Sequence, residues 1–360
     1  MKILDRYLLR ELAGPFVFGV VAFVLLFVSA NILFQLTELV SELGISLWVA
    51  TELFLLKLPE FVVLTFPLAT LVAILITFGR LSGDSELIAM HAGGVSFRRL
   101  VVPAVAMGLM VSVVTAGMNE LVVPGCKRRA EQIVREASQQ AGRAGQPGIY
   151  LKEMSGGQVA RLIYADRLNV ATGEMTRPTI TWFDKGKPVL VTVAERGQWQ
   201  ANGWQMFNVV NFRLDAEWPE KYWFRSWRAE FATSPREMAE RARNPEEMTY
   251  GELKEYIRSA LRQHEPTVEW ELMLHHKFSI PFACLVFALV APALGMRSHR
   301  GSSSIGMGVA ILVGFAYYVL WQYFGLVARE GGGVTPFWAA WLPNIVTGVV
   351  GIGLIMRVRR

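Results

Sequence analysis

Apolar and polar residues occupy separate long blocks of this chain. A membrane-spanning helix needs about 20 apolar residues, because it must cover ~30 Å of hydrocarbon at about 1.5 Å per residue. Six stretches of about this length or longer carry no charged residue: 13–37, 61–79, 100–119, 278–296, 301–328 and 331–356. Three precede residue 125 and three follow residue 277. The pattern therefore predicts an α-helical polytopic membrane protein, with six transmembrane helices arranged 3+3 around a central polar block.

The central block shows period-two alternation rich in β-branched and aromatic residues, which is typical of strands. Candidate strands are 149–154, 158–165, 179–183, 189–194, 197–200, 204–210 and 223–228. Asn202-Gly203 predicts a hairpin turn, and residues 184–187 predict a second. We expect an inserted antiparallel β-domain, a sandwich or jelly-roll-like fold. Its many tryptophans fit either a core with membrane-proximal anchors or an apolar groove for acyl chains.

Two helical connectors are predicted to flank this domain. Residues 126–140 form an amphipathic continuation of the third apolar stretch, and residues 249–262 place their apolar residues on one face. Thr249 and Glu252 fit a capping box, in which the hydroxyl and the carboxylate satisfy free amides at the helix start. We expect the connectors to transmit motion between the domain and the membrane.

Basic residues are unevenly distributed among the short loops. The chain has 36 Lys and Arg against 30 Asp and Glu, a net charge of +6. Residues 1–12, 80–99, 297–300 and 357–360 hold 11 of the basic residues, whereas the opposite short loops hold Lys57 and Arg329. By the positive-inside rule, both termini are cytoplasmic and the β-domain is periplasmic. The excess charge thus indicates orientation and not a nucleic-acid partner.

Motifs for nucleotide or metal chemistry are absent from the sequence. It contains no G-x-x-x-x-G-K-[ST] loop and no H-E-x-x-H, and its histidines and cysteines lack a metal-ligand spacing. The six apolar stretches contain no Asp, Glu, Lys, Arg or His, which argues against a proton relay or an ion-coupled carrier. We expect no cofactor, metal or catalytic residue in this chain, so that any energy it uses comes from elsewhere.

The third apolar stretch carries small residues at four-residue spacing: Ala104, Gly108, Ser112 and Ala116. Such a seam lets another helix approach closely. The neighbour is either a helix of the same chain or one of a second subunit. The glycines at 348, 351 and 353 leave the same choice open.

The loop between the second and third stretches, GRLSGDSELIAMHAGGVSFRR, predicts a short amphipathic helix at about 82–93. Asp84 and Ser85 are helix-start residues, and Gly93-Gly94 supplies a stop. A short helix in a cytoplasmic loop can dock in a groove of a separate ATPase, or it can lie on the lipid surface.

The sequence resembles the LptF/LptG (YjgP/YjgQ) permeases of the lipopolysaccharide export ABC transporter. The resemblance covers essentially the whole chain: LDRYLLREL at the first span, GRLSGDSELIAMHAGGVS after the second, the central β-domain, EEMTYGELKEYI, and HHKFSIPFACLVFALVAPALG in the fourth span. The cytoplasmic loop is the most specific of these motifs.

This resemblance implies a permease that extracts lipopolysaccharide, or a related glycolipid, from the inner membrane and passes it to a bridge of periplasmic β-domains. The implied partners are an LptB-like ATPase dimer, which would bind ATP and Mg²⁺, a second LptF/LptG-type subunit (this chain or a paralogue) and an LptC/LptA-like periplasmic protein. Family members contact the ATPase through the loop helix, so the implied contact residues are Arg80, Asp84, Glu86, Leu87, Met90 and His91.

One departure from the family concerns lipid phosphates. Many relatives carry basic residues near the periplasmic end of the first span, where this chain has neutral or acidic ones. Phosphate capture then falls to Lys57, Arg329 or a partner subunit, or else the glycolipid carries fewer phosphates. The expected lipid-binding residues are Asn31, Gln35, Lys57, Phe66, Phe315 and Arg329.

The predicted domains are residues 1–124, with three membrane helices and the loop helix, residues 125–276, with the β-domain and its connectors, and residues 277–360, with three more membrane helices. Two alternatives to lipid export stay open. One is a mechanical ABC subunit that moves a periplasmic domain without passing lipid, and the other is a polytopic glycolipid-modifying enzyme.

Overall fold

The structure is a computed structural model that describes residues 3–29, 46–140, 146–155, 158–184, 186–200, 203–214, 220–229, 231, 233–236, 238, 245–262, 266–297 and 303–357. The α-helices in these ranges are α1 (Ile3–Phe27), α2 (Leu47–Gly83), α3 (Glu86–Ala92), α4 (Phe97–Gly117), α5 (Val123–Gln140), α6 (Tyr250–Arg262), α7 (Val268–Arg297), α8 (Ser303–Arg329) and α9 (Pro336–Arg357). A π-helical segment, Met118–Val122, joins α4 to α5, and a 3₁₀ turn spans Pro245–Glu247.

The six predicted membrane spans are confirmed. Helices α1, α2, α4 with its continuation into α5, α7, α8 and α9 are each long and apolar enough to cross a bilayer. The first helix, Ile3–Phe27, starts ahead of its charge-free run, so Asp5, Arg6, Arg10 and Glu11 belong to the same helix. Residues 30–37 of that run lie outside the described residues.

Seven strands form one continuous antiparallel sheet between the third and fourth membrane helices. They are β1 (Gln146–Ser155), β2 (Gln158–Asn169), β3 (Glu174–Thr176), β4 (Thr179–Asp184), β5 (Lys187–Gln200), β6 (Gly203–Arg213) and β7 (Glu220–Ala229). The order is β1-β2-β3-β5-β6-β7, and β4 pairs with both β2 and β5. The inserted antiparallel β-domain is thus confirmed, and its seven strands belong to a single hydrogen-bonded sheet.

The division into strands differs from the sequence expectation at two places, and several strands are longer than predicted. The predicted strands 189–194 and 197–200 are one strand, β5, because its pairing with β6 continues from Leu190 to Gln200. The short strand β3 was not predicted. Both expected hairpins exist: Gln200 pairs with Gly203, and Asp184 pairs with Lys187.

The tryptophans divide between the core and the surface of the β-domain. Trp204 is fully buried and donates its indole N–H to Thr233 O at 2.9 Å. Trp182, Trp199 and Trp227 pack against the same core. Trp223 is exposed on β7, and Trp218 lies outside the described residues. Most of the described tryptophans therefore serve packing inside the domain.

Helix α7 lies at the centre of the membrane bundle. It packs against α2, α4 and α9, and its buried face is lined by small residues such as Ala283, Cys284 and Ala288. Polar contacts add to this packing: Asn344 on α9 donates to Ser279 O at 2.8 Å and accepts from the Tyr317 hydroxyl at 3.1 Å. Three membrane helices are therefore joined by hydrogen bonds between neutral groups, as suits a lipid environment.

The small-residue seam of the third span faces a helix of the same chain. A methyl group added at Gly108 would collide with Ala288 Cβ and lie 3.0 Å from Cys284 O. On the last span, a methyl group at Gly351 would lie 2.9 Å from Val290 Cγ2. Gly108 and Gly351 therefore both contact α7. At these two positions the neighbouring helix belongs to the same chain and not to a second subunit.

Replacing Gly108 by alanine should destabilise the bundle. The added methyl group has no room against α7, and such overpacking costs about 1–3 kcal/mol. Gly117→Ala is the matched control, because a Cβ at this position of α4 meets nothing within 4 Å. Thermal unfolding of the detergent-solubilised protein measures both. Equal melting temperatures for the two variants would contradict the close approach of α4 and α7.

Candidate functional site

The loop helix α3 follows α2 after a sharp reversal at Ser85. Asp84 caps the end of α2, since its N–H bonds to Arg80 O and Ser82 O. Ser85 lies in the left-handed region at φ 63° and makes no side-chain cap to α3. Ser85 therefore starts α3 as expected, although without a side-chain cap, whereas Asp84 does not start it. Asp84 instead completes the preceding helix, and Ser85 supplies the turn between the two.

The predicted stop of α3 at Gly93-Gly94 is confirmed. Gly94 adopts φ 83°, which favours glycine. Its N–H bonds to His91 O at 2.9 Å, and the N–H of Val95 bonds to Met90 O at 3.0 Å. These two bonds are those of a Schellman motif, in which the first residues past the helix satisfy its last carbonyls. The C-terminal end of α3 is therefore firmly defined.

Leu87 anchors α3 to the membrane bundle. Its side chain is 2% exposed and packs in a cluster with Leu8, Phe78 and Leu81. Met90, one turn further on, is partly buried against the same cluster. The structure thus places Leu87, expected as an ATPase contact, in the interior. Burial of its leucyl group holds the helix in place and leaves little of it for a partner.

The N-terminal part of α1 is tied to the loop helix and to its flanking helices. The Tyr7 hydroxyl donates to Glu86 Oε2 at 2.7 Å. Glu11 pairs with Arg80 on α2. At the start of α4, Arg99 Nη2 donates to Asp5 Oδ2 at 2.8 Å. We name these three pairs the α1 clamp. Helix α1 is thereby joined to α2, α3 and α4.

Sequence reasoning missed Asp5, Tyr7 and Glu11. A signal for them was present, because two acids in a segment that leads into an apolar helix are costly to bury without basic partners. The identity of those partners depends on how α1 packs, which residue spacing along the chain does not specify.

The outward face of α3 is partly apolar. Ile88 is 56% exposed, and Ala89 and His91 are exposed beside it. Asp84, which precedes the helix, is exposed, whereas Glu86 is half-buried and accepts the hydrogen bond from Tyr7. The exposed surface of α3 that a partner could contact is therefore centred on Ile88 and includes His91. Ile88 was not among the expected contact residues.

The expected lipid-binding residues do not converge. Asn31 and Gln35 lie outside the described residues. Phe66 is 9% exposed and packs against Phe16 at 5.7 Å between ring centroids, so the structure places it in the interior. Phe315 is 69% exposed on α8.

The two basic candidates both have acidic neighbours. Arg329 Nη2 lies 3.9 Å from Glu269 Oε1, and both side chains are well exposed. Lys57 is half-buried on α2, close to Glu60 and Lys127. Each basic group therefore stands beside a carboxylate that partly offsets its charge.

Helices α1 and α8 expose long apolar faces on neighbouring sides of α2. Gly19 on α1 approaches Ala69, and Gly314 on α8 approaches Leu68. Because Ala69 and Leu68 are adjacent, the two helices meet α2 at one depth, about 100° apart around its axis. The outward residues are Val17, Phe18, Val21, Leu25 and Leu26 on α1, and Ile311, Leu312, Phe315, Val319 and Tyr323 on α8. Such an uncharged wall matches acyl chains.

The neighbours Leu87 and Ile88 should respond differently to truncation. Leu87→Ala leaves a cavity in the cluster that holds α3 and should cost about 2–5 kcal/mol. Ile88→Ala removes an exposed side chain and should change stability by about 0.5 kcal/mol or less. Thermal unfolding of the isolated chain measures the difference. An equal loss in both variants would contradict the assignment of Leu87 as the anchor.

Comparison with known proteins assigns almost the whole chain to one protein family. No curated protein matches it in a sequence search. Residues 6–357 match the protein family described as lipopolysaccharide export system permease LptF/LptG. This match includes the loop helix, the β-domain and all six membrane spans. The chain therefore belongs to the LptF/LptG family, and it is a multi-pass inner-membrane permease of lipopolysaccharide export, a transporter component and not an enzyme.

Proposed function

We propose that this chain extracts lipopolysaccharide, or a related glycolipid, from the inner membrane with energy from an LptB-like ATPase that docks on α3. The observation that carries the proposal is the construction of the loop end of the bundle. Helix α3 is anchored by buried Leu87 and bound to α1 through Tyr7 and Glu86, while Ile88 faces outward. An exposed helix held this rigidly can receive force from a partner.

The orientation of the chain in the membrane follows from its basic residues and places α3 on the side of the ATPase. The loop end carries most of the basic residues of the short loops, so it is cytoplasmic by the positive-inside rule, and the β-domain is periplasmic. The sequence contains no phosphate-binding loop of its own. ATP and Mg²⁺ would then belong to the partner, on the side of the membrane where α3 lies.

The apolar faces of α1 and α8 are the proposed lipid contact. A second LptF/LptG-type subunit opposite this wall would enclose a cavity between the two, and acyl chains would fill it. Movement of α3 reaches α1 through the α1 clamp, so ATP-driven closure would displace the lipid. The glycolipid would leave by an LptC/LptA-like bridge that continues the β-domain. Lys57 and Arg329 are the basic residues proposed for its phosphates.

Glu86→Ala should lower the amount of ATPase recovered with the purified complex several-fold. Tyr7→Phe removes the hydroxyl that donates to Glu86 but keeps its carboxylate, so a direct Glu86 contact predicts a smaller effect of Tyr7→Phe. Glu330→Ala is the control, because Glu330 is an exposed acid at the opposite end of the bundle. Quantitative mass spectrometry of the purified complex measures recovery. Wild-type recovery in Glu86→Ala would argue strongly against docking on α3.

A photoreactive amino acid at Phe18 or Phe315 should form adducts with lipopolysaccharide in the active complex. The same group at Val113 on α4 should form them only with bulk phospholipid. Phe18, Phe315 and Val113 are 63%, 69% and 65% exposed, so they lie on different helices but are equally accessible. Mass spectrometry of the adducts distinguishes the lipids. ATP-dependent cycling without lipopolysaccharide adducts at Phe18 and Phe315 would favour the mechanical subunit over the exporter.

A further inference from the structure

The third membrane helix changes its winding at the end of its charge-free run. Between α4 and α5 the segment Met118–Val122 is π-helical. Such π turns are rare, and they occur frequently at functional sites. This one directs Asn119 and Glu120 toward α6 and α7, the elements that return the chain from the β-domain to the membrane.

Glu120 binds the first residue of α6 across 130 positions of sequence. The Tyr250 N–H lies 2.8 Å from Glu120 Oε1 and 3.1 Å from Oε2. The first N–H groups of a helix have no partner within it, and the helix dipole favours a negative charge there. Glu120 therefore supplies an anionic acceptor from a different helix.

The same carboxylate also pairs with α7. Lys277 Nζ lies 3.6 Å from Glu120 Oε2, and the Lys277 side chain is only 12% exposed. The neighbouring Asn119 donates its amide to Lys277 O at 3.2 Å. The π-helical segment thus makes side-chain bonds to both α6 and α7.

Helix α6 rests on α7 through an apolar contact of its own. Leu253 and Ile257 on α6 pack with Leu274 on α7. The Tyr250 ring contacts Phe278 with centroids 5.3 Å apart. The bonds from Glu120 therefore reach a pair of helices that already pack together.

The predicted capping box of α6 is confirmed and is separate from Glu120. Glu252 Oε2 accepts from the Thr249 N–H and the Thr249 hydroxyl, both at 2.8 Å. The Thr249 N–H, followed by its hydroxyl and Arg128, holds the pKa of Glu252 below its usual range. The ionised cap therefore persists at neutral pH and is lost only as the pH falls through that lowered pKa. Since α6 starts with its own cap, Glu120 adds a connection between helices.

The outgoing connector α5 is fixed to the membrane bundle on its other side. Ala130 and Ile133 pack with Leu53 near the start of α2. Lys127 Nζ lies 2.9 Å from Glu60 Oε1 in the same region. The outgoing connector therefore moves with α2, and Glu120 stands where it meets the returning chain.

We propose that Glu120 is the positioning residue that joins the outgoing and returning connectors, so that a tilt of the third membrane helix carries the β-domain with it. Arg128 on α5 also pairs with Glu252 on α6, Nη1 to Oε1 at 3.1 Å, but both side chains are about half exposed. Without Glu120, α6 keeps this exposed pair and loses its direct bonds to the π-helical segment. The β-domain then lags behind the movement of that helix. The transport consequence of this joint rests on the proposed lipid export, whereas the joint itself does not.

Spin labels at Gln132 on α5 and Ser259 on α6 test the joint directly, because both positions are exposed. Cys126 is partly accessible and is replaced by serine, and Cys284 is buried. We expect one narrow distance distribution in the full-length protein and a clearly broader one in Glu120→Ala. Glu255→Ala, an exposed acid on the same α6, should keep the narrow distribution. A wild-type distribution in Glu120→Ala would overturn the proposal.

Two milder variants refine this result and replace Glu120→Ala if it fails to fold. Glu120→Gln keeps an acceptor for the Tyr250 N–H but loses the charge that faces Lys277. Lys277→Met removes the opposite partner. Each should broaden the distribution less than the alanine variant does. No broadening in either would overturn the role of the charge.

The functional readout is lipopolysaccharide released per ATP hydrolysed by the reconstituted complex. Glu120→Ala should retain most of the ATPase activity and lower this ratio several-fold. Loss of ATPase and release in equal proportion would show a structural defect and overturn the positioning role. If the wild-type complex releases no lipopolysaccharide, the proposed export fails, and the distance measurements still decide on the joint.

Discussion

Close packing between helices in lipid is the constraint on which this structure depends. Lipid tails are as apolar as the side chains they contact, so membrane helices gain little from burying apolar surface and must fit each other at short range. Helix α7 does so through Cys284 and Ala288 against Gly108, and through Val290 against Gly351. The positions of α4 and α9 follow from these contacts. The packing of α7 against α4 and α9 thus sets the framework on which α3 and the connectors are held at the two ends of the bundle.

Among the residues that the structure describes, the charged contacts of the bundle lie at its two ends, because an ion pair within hydrocarbon is costly. The α1 clamp occupies the loop end, where it joins α1 to α2, α3 and α4. At the opposite end, Glu120 joins the third membrane helix to Tyr250 and Lys277. Between these ends the described interhelical hydrogen bonds are made by neutral groups, such as those of Asn344 and Tyr317. The arrangement combines an apolar interior with charged contacts at its two ends.

Features encoded by local spacing could be predicted from the sequence, and features that require a tertiary neighbour could not. The six apolar runs, the capping box of Thr249 and the glycine stop of α3 each depend on a few consecutive residues, and all three are confirmed. Asp84 ends α2 and does not start α3, and Ser85 starts α3 without a side-chain cap, because the reversal between the two helices places Ser85 in the left-handed region. Strand β3 is too short for a periodic pattern. Tyr7 and Glu120 have partners 79 and 130 positions away, so only the packing of the helices pairs them.

The α1 clamp also orders events during synthesis. Its most distant pair spans 94 positions of the chain, so a ribosome has made every residue of the clamp before any strand of the β-domain exists. The neighbour of Gly108, by contrast, lies in α7, which emerges only after the whole β-domain. Chains that fold as they are made assemble their N-terminal parts first. The face of α4 that α7 covers is therefore open while the β-domain is made, and it closes only when α7 joins the bundle.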